Sequence, residues 1–313
     1  MLGFIIRRLA GGVVLLAAIA VVGFNLLYLG SGDIARKILG ESADQATVAA
    51  KAHELGLDRP VPVQFGDWVA HAVHGDLGAS WFTGQPVADA ITSRLSVTLS
   101  LVTGAIVVIA VVSVVLGVLA ATRRGWVDRL AQVLAVVGHA VPGFLFAVGL
   151  VLVFALGLHL FDPTGYVAFT DDPVGWAKTV TLPVVALALG GVANVTQQVR
   201  GSMIDALRND YVRTLRARGL PGRRVVLKHV LRNAAGPALA VLGVYFVGLL
   251  GGAVIVEQVF AIPGLGQVAV QATTQGDIPL VMGMLIAIGI IVIVFNLLVD
   301  LLQGWLNPKV RLS

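Results

Sequence analysis

Charged residues in this chain are confined to short segments between long apolar runs. Six charge-free stretches stand out: 9–29, 95–122, 130–161, 179–199, 233–256 and 278–299. A helix needs roughly 20 apolar residues to cross a hydrocarbon layer about 30 Å thick, so each stretch reads as a span. The third is too long for one straight helix and contains Val141-Pro142-Gly143. Proline removes a backbone donor and disfavours helix at the residue before it. A short helix up to Ala140, a break, and a membrane helix from about Phe144 to His159 are therefore expected. The segment 258–276 is also uncharged, but Pro263-Gly264-Leu265-Gly266 and Thr273-Thr274-Gln275-Gly276 mark it as a connection with a short amphipathic turn.

The loops set an orientation. Arg7 and Arg8 precede the first span, Arg123, Arg124 and Arg129 follow the second, and Lys309 and Arg311 close the chain. Nine basic residues, from Arg200 to Arg232, lie between spans four and five. The opposite loops carry Asp162, Asp171, Asp172, Glu257 and Asp277 against Lys178. The positive-inside rule places both termini in the cytoplasm. Residues 31–94 then form an external region, in which Leu55-Gly56-Leu57-Asp58-Arg59-Pro60 and Gly75-Asp76-Leu77-Gly78 read as turns between short helices. The expected fold class is an all-α integral membrane protein with six transmembrane helices, N-in and C-in. Its expected division is 1–94 (first helix and external region), 95–305 (remaining membrane body, with the basic loop at 200–234) and 306–313 (cytoplasmic tail).

Composition agrees with the pattern: of 313 residues 57% are hydrophobic and 12% charged, too little charge to cover a soluble globule of this size. Cysteine is absent, which excludes disulfides, thiolate metal sites and a thiol nucleophile. The first apolar run is long for a signal peptide and no small-x-small cleavage site follows it, so it reads as a retained span. No lipidation motif is present.

The basic loop carries the strongest local pattern. Met203, Leu207, Tyr211 and Leu215 recur every four residues, widened by Ile204 and Val212, which predicts one amphipathic helix. Gly219 follows as a left-handed cap residue with Pro221 two positions on, and a second short helix is expected from Gly222 to about Asn233 before Gly236-Pro237 opens span five. The pattern describes a helix–turn–helix knob with its apex near Gly219. Its arginines suit anionic lipid headgroups. A shaped knob equally suits docking to a partner. Nucleic acid is a poor fit for an element held flat against a membrane.

The residues themselves resemble a known family. Asp210-Tyr211-Val212-Arg213-Thr214-Leu215-Arg216-Ala217-Arg218-Gly219-Leu220 is similar to the coupling-loop signature of ATP-binding-cassette importer permeases in the dipeptide/oligopeptide/nickel branch. Leu215 stands where that family prefers alanine, and Arg218 replaces lysine while keeping the charge. Lys228-His229-Val230-Leu231-Arg232-Asn233-Ala234 resembles the string that follows there. Further similar strings run in order along the chain: Arg7-Arg8-Leu9, Leu55 to Pro60, Gly75 to Gly78, Gly84-Gln85-Pro86-Val87, Gly252 to Glu257 running into Phe260, Pro263 to Gly266, and Asn296 to Leu301. Asn307-Pro308 replaces the family's usual Asp-Pro.

The resemblance implies a type I importer permease of the bacterial cytoplasmic membrane, paired with a homologous second permease subunit. It also implies two cytoplasmic ATPase subunits and an extracytoplasmic substrate-binding protein. The implied cargo is di- or oligopeptides, glutathione, nickel chelates or similar small solutes. By resemblance the ATPase-coupling residues are Asp210, Tyr211, Arg213, Thr214, Ala217, Arg218, Gly219, Leu220, His229, Arg232 and Asn233. Asp76, Gly78, Glu257, Phe260, Pro263 and Gly264 are candidates for the external interface with the binding protein. The chain itself is expected to be no enzyme and to bind no cofactor, with ATP and Mg held by partner subunits. None of its five lysines follows glycine as a phosphate-binding loop requires.

Other signals are weaker. Gly264-Leu265-Gly266-Gln267-Val268-Ala269 fits a dinucleotide fingerprint formally, but no strand–helix–strand context surrounds it. His53-Glu54 begins a zinc-protease motif whose second histidine position is Leu57. Asp300 is read as a helix-end or intersubunit hydrogen-bonding group and His139 as a packing residue, and Gly248 with Gly252 allows close helix approach. The alternative function is a stand-alone secondary transporter or channel, which the scarcity of intramembrane charge disfavours. An intramembrane enzyme lacks paired carboxylates, a Ser–Lys dyad or a metal cluster on facing spans.

Overall fold

The computed structural model describes residues 2–29, 34–123 and 125–306. The tail 307–313 and the side chain of His139 lie outside the described residues. Five described helices are long and apolar enough to cross a membrane: Gly3–Leu29, Val87–Thr122, Pro173–Arg208, Gly222–Val259 and Ile278–Leu306. In hydrocarbon every backbone polar group must be satisfied within the segment, and an uninterrupted helix achieves this. The described residues form no strand, only an isolated bridge between Ala79 and Pro86.

In chain order, α1 (Leu2–Leu29) leads to the short helices α2 (Ile34–Leu39), α3 (Gln45–Glu54) and α4 (Val61–Val73). The long α5 (Val87–Thr122) is followed by α6 (Trp126–Ala140) and α7 (Gly143–Leu150), which continues as a wider π-helical stretch over Val151–Gly157. The break at Val141-Pro142 falls where proline chemistry predicts it. Gly143–Gly157, eight residues plus seven, is about 22 Å long at 1.5 Å per residue, shorter than a full bilayer core. Next come α8 (Pro173–Arg208), α9 (Asp210–Ala217), and α10 (Gly222–Arg224), which runs through a π-helical stretch at Val225–Val230 into α11 (Leu231–Val259). The chain ends with α12 (Leu265–Gln275) and α13 (Ile278–Leu306).

Three expectations need correction. Gly236-Pro237 does not open a span: Pro237 lies inside α11 and its missing N–H costs one ladder bond, to the Asn233 carbonyl. The connection after span five holds an eleven-residue helix, α12, longer than a turn and closed by Gly276 at φ +80°. Finally, the helix of the second span starts earlier than its charge-free stretch, which begins at Leu95: α5 begins at Val87.

The described residues form two compact units that do not follow the chain-order division at 94. One joins Ile6–Ser96 to Pro263–Ile293. Its core packs Phe24, Ile34, Ile278 and Met282 beneath Phe65, Trp68 and Trp81, beside a second cluster of Val87, Ile91, Leu265, Leu280 and Met284. Buried Asp277, at the N-terminus of α13, accepts from Ser80 Oγ at 2.5 Å and from the Trp81 backbone N–H at 3.3 Å. A buried carboxylate needs such donors to offset lost hydration, and these fix the turn before α5.

The second unit is built mainly on Val97–Ile262. Helix α8 starts with Asp172 accepting from Val174 N–H at 3.0 Å and Pro173 in the first turn. It packs against α6, α7 and α11. Small residues let α5 and α8 touch: a Cβ placed on Gly117 would meet Val199 Cγ1 at 2.6 Å, and one on Gly191 would meet Ile109 Cδ1 at 2.4 Å. Asn194 Nδ2 donates to Tyr245 Oη at 2.9 Å, and Phe246 stacks on Phe295 with centroids 3.7 Å apart. Asp128 of α6 and Arg200 of α8 form a forked ion pair, with Arg200 Nη2 donating to Asp128 Oδ2 at 2.9 Å. The guanidinium holds the Asp128 carboxyl below the usual carboxylate range.

Candidate functional site: the basic knob

The knob is assembled by two breaks. Helix α8 ends at Arg208, and Asn209 is extended (φ −69°, ψ 147°), so the apolar repeat from Met203 to Leu215 is split over two helices. Asn209 is a cap-type residue, and the repeat runs through it because Met203 and Val212 both turn to the interior and are fully buried. In α9, Asp210 occupies the first turn, where its charge suits the helix dipole. Its contact with Arg213, 3.7 Å between groups more than four-fifths exposed, adds little.

The apex is a Schellman motif. Gly219 has φ +77°, its N–H donates to Arg216 O at 2.9 Å, and the Leu220 N–H donates to Leu215 O at 3.3 Å. Residues with a Cβ rarely adopt that conformation, so glycine is required here. Pro221, extended at ψ 135°, then starts α10. Arg213, Arg216, Arg218, Arg223 and Arg224 are exposed, while Val212, Val225 and Val230 are fully buried beneath them. The result is a stiff, capped projection with an apolar underside, a cationic outer face and an apex without a side chain.

The sequence-assigned residues separate into groups. Asp210, Arg213, Thr214, Ala217, Arg218 and Gly219 are exposed on the knob. Tyr211 is half-buried and its hydroxyl is enclosed without a hydrogen-bond partner among the described residues. Leu220 and His229 are half-buried. Arg232 lies away from the apex: its Nε donates to Leu306 O at 3.1 Å and its Nη2 to Trp305 O at 3.4 Å, capping the end of α13, and Asn233 is exposed beside it.

Among the external candidates, Asp76, Gly78 and Pro263 are exposed, with Asp76 Oδ1 accepting from Gly78 N–H at 2.8 Å in a tight turn. Gly264 is buried as the residue before α12. Glu257 and Phe260 differ from an exposed contact role. Glu257 is 0% exposed and accepts from Thr98 Oγ1 at 2.6 Å, and Phe260 is 2% exposed. A carboxylate placed at a span end reads as surface from sequence, but here a donor from α5 compensates its burial.

The helix break at Pro142 also opens onto space. Gly138, Pro142, Gly143, Ala186, Gly190, Tyr245, Gly248 and Gly252 line part of a mostly apolar cavity of about 650 Å³ between α6, α7, α8 and α11. Gly248 and Gly252 thus face a cavity, which the spacing alone did not reveal. Among the described residues no group of three or more His, Cys, Asp or Glu could hold a metal ion.

Comparison with known proteins agrees with this architecture along the whole chain. Residues 113–312 match the family described as binding-protein-dependent transport system inner membrane component, and residues 1–102 match its N-terminal counterpart. A chain of Brucella abortus bearing the name peptide transport system permease protein is 38% identical over 312 residues, 99% of each chain. A peptide ABC transporter permease protein of Sinorhizobium fredii is 36% identical over 98% of this chain and 99% of its own. The glutathione transport system permease protein of Escherichia coli is 36% identical over 99% of both. With a lipid-spanning helical body, a capped basic knob and end-to-end similarity, the chain belongs to the family of binding-protein-dependent inner-membrane permeases, the multi-pass membrane subunits of ATP-binding-cassette importers whose ATPase activity lies in partner subunits.

Proposed function

We propose that this permease imports peptides, from dipeptides to short oligopeptides, by alternating access coupled to ATP hydrolysis in its partners. Both termini face the cytoplasm in this reading, because the short arginine-rich loops retain that side. The knob Asp210–Leu220 docks in a groove of an ATPase subunit. A homologous second permease completes the pathway, and an external binding protein delivers cargo at the face bearing Asp76, Gly78 and Pro263. ATP and Mg stay on the ATPase pair.

The observation that carries the reading is the Schellman-capped apex backed by Val212 and Val225. A lever must transmit displacement, so it needs two rigid helices joined by a fixed turn, and it needs a small apex for close approach. An interfacial lipid-binding helix requires neither. Peptide cargo is supported by the names of the relatives from Brucella abortus and Sinorhizobium fredii, while the Escherichia coli relative's name keeps glutathione, itself a small peptide, in the same chemical class.

The test is purification of the tagged chain from its native membrane, followed by mass spectrometry of ligand retained on the co-purified binding protein. The proposal expects ATPase subunits in the complex and peptides as the retained ligand. A chain that purifies without ATPase subunits, or a binding protein filled only with a sugar or metal chelate, contradicts it.

A further inference from the structure

We propose that Asp128 and Arg200 form the positioning clamp through which movement of the knob reaches the helix break at Pro142. This rests on the importer reading above. Arg200 lies eight positions before the end of α8, about 12 Å from the start of the knob, and Asp128 lies twelve positions before Ala140, about 18 Å from the break. The pair therefore joins the helix that carries the knob to the helix that ends at the cavity.

The contact is built for transmission. Arg200 Nε and Nη2 address both oxygens of Asp128, and Gln132 Nε2 also donates to Oδ2 at 3.2 Å. Two parallel bonds fix orientation as well as distance, which a single lysine-type contact does not. The side chains are only 23% and 21% exposed, so screening weakens the pair far less than it does the exposed Arg213–Asp210 contact. The residues are 72 apart in sequence, so the pair contributes nothing to either helix locally.

Farther along, α6 and α8 meet through Gly138 and Ala193, where an added Cβ would stand 2.7 Å from the alanine methyl. Small apolar surfaces of that kind allow close approach, whereas a forked ion pair also fixes orientation. Around Arg200 itself there is a half-open cavity of about 730 Å³ toward Arg208 and Arg216 and an open surface groove toward Gln132 and Gln197. Between these two spaces the ion pair bridges the two helices directly.

The experiment uses the complete complex with its ATPase subunits in proteoliposomes. The chain has no cysteine, so Val136→Cys on α6 and Val244→Cys on α11, both well exposed, take a single pair of spin labels. Binding of a non-hydrolysable ATP analogue is expected to shift the label–label distance in the otherwise wild-type complex. Asp128→Asn is expected to cut that shift to less than half while the ATPase subunits stay bound. The exchanged pair Asp128→Arg with Arg200→Asp is expected to restore it. A full shift in D128N, no shift in the otherwise wild-type complex, or an exchanged pair no better than D128N overturns the clamp. Loss of the assembled complex in both D128N and the exchanged pair also overturns it, assigning the contact to folding alone. No transported cargo enters this readout, so failure of the peptide assignment is detected separately, by the ligand analysis above.

Discussion

Gly219 concentrates several demands on one residue. Its φ of +77° excludes proline, whose ring fixes φ near −65°, and its N–H must donate to Arg216 O. Nothing lies within 4 Å of the position a Cβ would take, so the constraint is backbone conformation and not space. Gly219→Pro is expected to leave the protein inserted and folded but to lower imported peptide per ATP hydrolysed at least about tenfold, a loss of about 1.4 kcal/mol or more in coupling. Parallel assays of uptake and phosphate release check this. The residue was legible in the sequence because a glycine followed by proline after an amphipathic repeat encodes a helix stop locally. Arg200 was legible only as one of nine loop charges. Its partner Asp128 lies 72 positions away, and no local pattern reports such a pairing. The same holds for Thr98 with Glu257, 159 apart, and Ser80 with Asp277, 197 apart.

At the scale of elements, five of the six apolar runs coincide with helices long enough to cross a membrane, and the third gives only the shorter Gly143–Gly157 helix after α6. Pro142 marks the break, because a missing donor imposes one. The split of the knob at Asn209 escaped because the four-residue repeat continues across it on both helices. Pro237 misled for the opposite reason: a proline tolerated inside a long membrane helix looks like a boundary. The closeness of α5 and α8 gives an element-scale prediction. Gly117→Ala puts a methyl 2.6 Å from Val199 Cγ1 and 3.1 Å from Thr196 O, and overpacking of this kind costs about 1–3 kcal/mol. Gly149→Ala meets nothing within 4 Å and is expected to leave stability unchanged or slightly raised. Thermal unfolding in detergent separates the two variants.

A pH effect belongs to the end of α3. His53 Nδ1 meets Asp58 Oδ2 at 2.6 Å, and that hydrogen bond raises the histidine above its ordinary 6.5 while lowering the aspartate below 3.8. The raised histidine contributes fully below its unfolded value and loses its contribution as pH rises through the folded one. The lowered aspartate contributes above its unfolded value and loses its contribution as pH falls through the folded one. The turn Leu55–Asp58 is therefore held best between about pH 4 and pH 6.5. Hydrogen-exchange protection at Leu55 and Gly56, taken relative to the intrinsic rate at each pH, is expected to fall above that window, and His53→Gln is expected to abolish that fall.

At the scale of the whole molecule, a chain poor in charge gathers its arginines into a few short segments and exposes a cluster of them on one capped projection, and it belongs to a family whose ATPase activity lies in partner subunits. The net charge of +5 is the sum of these local assignments. The permease identity follows from the whole length of the chain, matched end to end by its relatives. The central claim is that the chain converts ATP hydrolysis in its partners into uptake. Its most direct test is entry of radiolabelled alanine di- and tripeptides into vesicles that hold ATP and carry the complete complex. Uptake that requires internal ATP, the ATPase subunits and the binding protein is the predicted result. Uptake by this chain alone, driven by an ion gradient and indifferent to ATP, contradicts it.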